Sequence, residues 1–381
     1  MAKTKPQDRA RKAKKDAKNG AADGAKRPKT SPETLLVQAA ALLQTSQPDE
    51  ALVAAKRALN LLQPTPEPAL AALPALNLLG EINVELGDPD SARETFLAAI
   101  ALDTEGVHDG AEKFLWLAQL NEEGGGESVR WFEKGIEVLK REVSELEGKI
   151  VKKAGITDAL AEKKQKIANA LCGIAEVYMT DLSWEAEAEP RCEAAVTEAL
   201  LVAPEAPEPL QTLASIRISQ LRVDDAKAAL TRSMALWTDL EPDDPSIPDY
   251  STRISLSRLL MEAEMEDDAM EVLERLIGEN DESVEAWYLG GWCLNLIAEK
   301  QKANHDMERI VPLLKASRDW LENCLKLYTA FEYEDERLKV HADELLKEIH
   351  GVVGPSTDEE EDEEEGEDWE DADDDAEMDG T

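Results

Sequence analysis

Leu79-Gly80, then Ala92 twelve positions after Gly80, then Phe96 and Ala99, constrain this chain more than any other feature. That spacing describes two antiparallel helices in close contact. Gly80 lets the first helix approach, Ala92 and Ala99 let the second lie against it, and Phe96 fills the space between. Gly87-Asp88-Pro89 stands between the halves, where a helical hairpin must turn. One hairpin cannot bury its apolar face alone, so the pattern predicts stacked neighbours and a curved binding surface. It predicts no chemistry.

The neighbours are present with varying fidelity. Leu35, Ala39 and Leu42 precede Ala51, Ala55 and Ala58 in the same register. Leu213-Ala214 leads to Ala226, Leu230 and Ser233, and Leu256-Ser257 leads to Ala269, Leu273 and Leu276. Trp287 and Gly291 repeat the aromatic and glycine that open a unit four residues apart. Residues 113–137 read as a unit with a shortened Gly-rich turn, and Leu171-Cys172-Gly173 opens another whose second helix runs through Cys192, Val196 and Ala199. The spacing resembles the tetratricopeptide (TPR) repeat. The expected fold is all-α: a TPR-like right-handed superhelix of about seven helical hairpins over residues 32–331, plus a capping helix over residues 334–350.

Prolines cluster at 64–68, 204–209 and 242–248, where one helix ends and the next begins. The Lys- and Glu-rich stretch 137–170, joined near Gly155, predicts helices extended beyond repeat length. It reads as a solvated pair, with a dedicated interaction arm as the alternative. Residues 180–190 read as an inserted loop. The organisation is then a disordered basic tail over 1–31, a TPR domain over 32–350 and a disordered acidic tail over 351–381.

Charge is the second strong signal. The chain carries a net −40. Its first thirty residues hold eleven basic residues against three acidic ones, about +8, with no apolar face. Residues 358–379 are nearly all acidic and contain no Lys or Arg. The helical body is therefore also strongly negative. Such a field serves solubility, or it attracts a basic partner at long range and repels nucleic acid. Direct nucleic-acid binding by the body is not expected, since phosphates need a basic surface. No run of about eighteen apolar residues occurs, so no membrane span is expected. The four cysteines lack paired spacing and read as buried free thiols, with no metal and no cofactor. The histidines His108, His305, His341 and His350 are scattered, and no nucleophile or phosphate-loop motif appears, so the chain is not expected to be an enzyme.

Partner-binding residues are expected on the first helix of each hairpin, which lines the inner face. These are Asn77, Glu81 and Glu85 in the second hairpin, and Glu112, Trp116 and Gln119 in the third. Glu285, Tyr288, Trp292 and Asn295 hold the equivalent places in the seventh. The carboxylates would pair with Lys or Arg, and the aromatics would cover their stems or stack on guanidinium. For each aromatic the alternative is inter-repeat core. Asp181 and Trp184, in the inserted loop, are placed at the groove rim.

Residues 75–88, the run Glu112-Lys113-Phe114-Leu115-Trp116-Leu117-Ala118-Gln119-Leu120 and the run Tyr178-Met179-Thr180-Asp181-Leu182-Ser183-Trp184 together carry a resemblance. With the basic start and acidic end, they resemble the fungal family of dedicated assembly chaperones for large-subunit ribosomal protein four (the uL-four family). The resemblance spans residues 32–350. It implies capture of a newly made basic ribosomal protein, shielding of its Lys/Arg-rich loop on an acidic concave surface, and escort from cytoplasm to nucleus for 60S assembly. A monomer is expected, with the basic tail offered to a nuclear import receptor. The alternative is a TPR scaffold or co-chaperone adaptor for another basic protein or for an acidic C-terminal peptide. A clamp of the latter kind needs Lys, Arg and Asn on the inner helices, where this chain has chiefly Glu, Asn, Tyr and Trp.

Overall fold

The computed structural model describes residues 31–121, 124–148, 156–242, 244–303 and 307–355. The basic tail up to residue 30, the acidic run from 356 onward and the join near Gly155 lie outside the described residues. Among the described residues there are fifteen α-helices and no strand. They pair in sequence. Helices α1 (Pro32–Gln44) and α2 (Pro48–Leu62) form the first hairpin, α3 (Leu73–Glu85) and α4 (Pro89–Leu102) the second, and α5 (Glu112–Gln119) and α6 (Gly125–Glu147) the third. The next two are α7 (Ile156–Met179) with α8 (Ala188–Val202), and α9 (Glu208–Ser219) with α10 (Val223–Met234). Then come α11 (Tyr250–Glu262) with α12 (Glu266–Glu279), and α13 (Val284–Ala303) with α14 (Met307–Ala330). Helix α15 (Glu336–Val353) follows, packed on α13 and α14. The fold is a TPR-like array of seven hairpins plus a terminal helix, as the repeat spacing predicts. The chain divides into two compact units, Met1–Val138 and Leu139–Thr381.

The small residues sit where the spacing put them. A Cβ added at Gly80 would overlap the ring of Phe96, which is fully buried beside Ala92 and Ala99. Gly291 meets Leu321 in the same way, and Ser317 donates from Oγ to the Gly291 carbonyl at 2.6 Å. Helix starts are fixed by side chains that accept from the free amides of the first turn. Ser31 caps α1, Asp88 caps α4, Asp249 caps α11 and Asp335 caps α15.

Four hairpins share one turn. The residue after the C-cap is left-handed at Ser46, Gly87, Leu221 and Glu264, with φ of 55°, 70°, 59° and 58°. In each, the next amide reaches back five residues: Gln47 to Leu42, Asp88 to Asn83, Arg222 to Arg217 and Met265 to Leu260, at 2.8–2.9 Å. This is the Schellman closure. Only the second hairpin meets its backbone demand with glycine.

In the second unit, residues 139–147 of α6 are tied to the long helix α7 by ion pairs, Lys163 to Glu142 at 2.7 Å and Lys164 to Glu147 at 3.2 Å. Residues 180–187 connect α7 to α8 as a run of turns. Its Leu182 is buried and its Thr180 Oγ1 donates to the Glu176 carbonyl at 2.8 Å.

Candidate functional site

A stacked array of hairpins brings first helices side by side. In the second unit α7 contacts α9, α9 contacts α11, α11 contacts α13 and α13 contacts α15. Two adjoining clefts open along this succession and share Arg258 on α11.

The larger, about 740 Å³, lies among α11, α13 and α15. Met261, Leu289, Trp292, Leu296 and Leu338 give it apolar walls, and Tyr288 and His341 also line it. The Tyr288 hydroxyl and His341 Nδ1 share a hydrogen bond of 2.7 Å, and the Trp292 and His341 rings meet edge-on at 5.1 Å. Burial pushes the Tyr288 phenol up. Charges of both signs rim the cleft. Arg258 is engaged by the Glu285 carboxylate, while Glu262, Asp335 and Arg337 also border the opening. Asp335 accepts from the amides of Arg337 and Leu338, so its carboxylate fixes the start of α15 as well.

The smaller cleft, about 460 Å³, lies among α7, α9 and α11, with polar side chains set in a largely apolar wall. Glu176 and Glu208 supply carboxylates, while Gln211, Thr212, Ser215 and Ser255 supply hydrogen-bonding groups. The Glu176 side chain is exposed to solvent at the cleft, and partial desolvation by the protein around it pushes its pKa up. Cys172 also borders this cleft. Burial holds its thiol at about 11, and Cys293 and Cys324 are pushed to about 12, so none is a nucleophile near neutral pH. Among the described residues no group of three His, Cys, Asp or Glu could hold a metal ion. No described helix is long and apolar enough to cross a membrane.

The residues singled out in the sequence fall into different settings. Tyr288 and Trp292 meet in the larger cleft, with Glu285 beside it through Arg258. Asn295, on the same helix, is buried. In the first unit Asn77 is buried and donates from Nδ2 to Asp109 at 2.8 Å. Glu81, Glu112 and Trp116 are half-buried, and Glu85 and Gln119 are exposed. The Trp116 ring stacks on Phe96, centroids 6.4 Å apart. Trp184 is 79% exposed, its indole N–H donating to the Asp181 carbonyl at 3.0 Å, and neither residue borders either cleft. Sequence reasoning passed over Glu176, Glu208, Arg258 and His341. Extending the first-helix rule to α7, α9 and α11 would have found the first three. His341 lies on the terminal helix, which the rule does not reach.

Residues 73–105 match the tetratricopeptide repeat family. A protein of Emericella nidulans named "Probable assembly chaperone of rpl4" is 48% identical over 344 residues, covering 86% of this chain and 84% of its own length. A protein of the same name from Schizosaccharomyces pombe is 35% identical over 309 residues, covering 80% and 88%. Among solved structures, Assembly Chaperone of RpL4 (Acl4), residues 1–338, superposes with a TM-score of 0.66 at 46% identity, covering 72% of this chain and 99% of that one. A tetratricopeptide repeat protein of Parabacteroides merdae shares the fold alone, with a TM-score of 0.50 at 13% identity over 84% of this chain and 98% of its own. At these identities and coverages, the chain belongs to the TPR family of assembly chaperones of rpl4.

Proposed function

We propose that the chain captures a newly made ribosomal protein of the L4 type, holds its Lys/Arg-rich loop along the first helices, and escorts it from cytoplasm to nucleus for assembly into the 60S subunit. The observation that carries this reading is the adjoining pair of clefts on the first helices, in a chain whose relatives are named for assembling rpl4. A loop built to lie among phosphates binds any polyanion while it waits, because that attraction is electrostatic and sequence-independent. A net charge of −40 draws such a loop in, with a reach of about 8 Å at physiological salt. The clefts then supply contacts: carboxylates for Lys and Arg, and Tyr288 and Trp292 for stacking on guanidinium or covering aliphatic stems. Release follows when ribosomal RNA competes for the same loop, so neither catalysis nor a cofactor is required. One chain serves one guest, and the basic tail offers an import receptor a docking segment.

The test is purification of the full chain from its own cells at moderate salt, followed by identification of co-purifying proteins. One basic ribosomal protein at equal stoichiometry is expected, lost on raising the salt. Recovery of acidic-tailed chaperones instead, with no ribosomal protein, would overturn the reading in favour of a clamp for acidic peptides.

A further inference from the structure

We infer that the cleft among α7, α9 and α11 is a pocket for a single arginine side chain, with Glu176 as its counter-ion. It deepens the proposed function, resting on it only for the source of the arginine, a segment of the guest.

Glu176 carries a carboxylate inside a cleft, and no ion pair or side-chain hydrogen bond reaches it among the described residues. The Thr180 hydroxyl bonds the backbone carbonyl of Glu176, not its side chain. The cation bordering the cleft is Arg258, whose guanidinium is already held by Glu285. Glu208, across the cleft, accepts from Gln165 Nε2 at 3.0 Å. A carboxylate that borders a cleft and has no cation of its own is open to a charge-assisted pair with one that arrives.

The surroundings favour a guanidinium over an ammonium. Thr212, Ser215, Thr252 and Ser255 line the same cleft from two helices. Thr212 already meets the Cys172 thiol and Thr252 meets Asp249, but hydroxyl oxygens keep acceptor capacity, which suits five N–H donors fixed in a planar fork. Met179 and Leu259 offer apolar surface for the methylene stem. An acidic peptide would meet Glu176 and Glu208 with like charge. The other titratable and charged groups around Glu176 are Cys172 on its own helix, Cys192 on α8, Glu208 on α9 and Arg258 on α11. Cys192 donates to the Ala175 carbonyl at 3.4 Å, and burial raises both thiols, so they stay neutral. Because burial raises the Glu176 carboxyl, a bound guanidinium pulls it back down. Binding therefore releases a proton where Glu176 is part-protonated, and affinity falls as pH drops through that range.

The probe is the peptide acetyl-Gly-Ser-Arg-Ser-Gly-amide, with versions carrying lysine or the neutral isostere citrulline. Each is titrated by NMR into the full chain, into Glu176→Gln and into Glu94→Gln, an exposed position of α4 that borders neither cleft. The arginine peptide is expected to bind about tenfold tighter than the citrulline one, the order of one charge-assisted hydrogen bond, with lysine between them. Glu176→Gln erases that preference and its pH dependence, and Glu94→Gln keeps both. Glu176→Gln preserves shape and removes an uncompensated charge, so it folds at least as well as the parent, and circular dichroism checks this. Equal affinity for arginine and citrulline, or a preference that survives Glu176→Gln, overturns the pocket. The outcomes separate from those of the proposed function. Arginine preference without capture of a ribosomal protein removes the escort role and leaves the pocket, whereas capture with Glu176→Gln inert removes the pocket alone.

Discussion

Lys113→Met tests the firmest electrostatic contact in the first unit. Lys113 and Asp103 side chains are sealed from solvent, at 0% and 3% exposure, with Nζ at 3.0 Å from Oδ2 and at 2.8 Å from the Gly110 carbonyl. Asp103 also accepts from the amides of Val107, His108 and Asp109 at 2.8, 3.1 and 3.3 Å. The pair thus holds the connection between α4 and α5, whose Asp109 in turn holds Asn77. Methionine keeps the buried stem and removes the ammonium, leaving a carboxylate that three amides still satisfy. Breaking a buried pair costs about 3–5 kcal/mol, and the surviving amides place this case near the lower end, about 3 kcal/mol. The double variant Lys113→Met with Asp103→Asn removes the stranded charge and should recover at least half of that loss. The pH dependence has a definite sign. Burial opposes ionisation of Asp103, but the amides and Lys113 outweigh it and hold its pKa below the ordinary 3.8. Its contribution is therefore complete above 3.8 and disappears as pH falls through the lower folded value. Lys113→Met reduces that acid-labile part. Because the chain has two units, the assay is hydrogen exchange over residues 103–120, which reads local opening without a two-state assumption. A loss below about 1 kcal/mol, or a double variant no better than the single one, would refute the reasoning.

Two other perturbations follow from the repeat geometry. Leu221→Gly and Glu264→Gly relieve exposed left-handed turn residues at little cost in packing, and each should stabilise by about 0.5–1 kcal/mol after the greater chain entropy of glycine is counted. A lowered melting temperature for both would show that the turns are not strained. Gly80→Ala gains about 1 kcal/mol of helix propensity but loses about 1–3 from overlap with Phe96, so net destabilisation near 1 kcal/mol is expected. Phe96→Leu in the same chain should reduce the effect of Gly80→Ala in urea unfolding, and a strictly additive pair would exclude that contact.

Much of the fold was legible because small residues in a helix have few meanings. Gly80 against Phe96 followed from spacing, since a position that tolerates no side chain marks where helices touch; Gly291 was marked in the same way, but its partner Leu321 was not. The shared turn was legible only at Gly87. Ser46, Leu221 and Glu264 adopt the same backbone without a residue type that announces it. The clefts were less legible still. Their walls come from α7, α9, α11, α13 and α15, and a first-helix rule applied hairpin by hairpin does not show which positions converge. It also cannot tell an inward polar residue from one consumed by structure. Asn77 illustrates this, because Asp109, on the following connection, takes its amide.

The distribution of charge separates attraction from recognition. Removing the +8 of the first thirty residues and the −17 of residues 358–379 from −40 leaves −31 on the body between them. The two clefts account for little of this. Glu176, Glu208, Glu262 and Asp335 border them against Arg258 and Arg337, and Arg258 is held by Glu285. Most of the body's field therefore arises outside the clefts, spread over solvated carboxylates that act at a distance and are screened by salt. Such a field raises the encounter rate with any cation and distinguishes few of them. Discrimination falls to the small number of groups withdrawn from water, where one charge-assisted bond or one aromatic contact outweighs several exposed pairs. Under the proposed function, removing surface carboxylates slows capture of every basic chain alike, whereas a change at Glu176 or Trp292 alters which chain is retained.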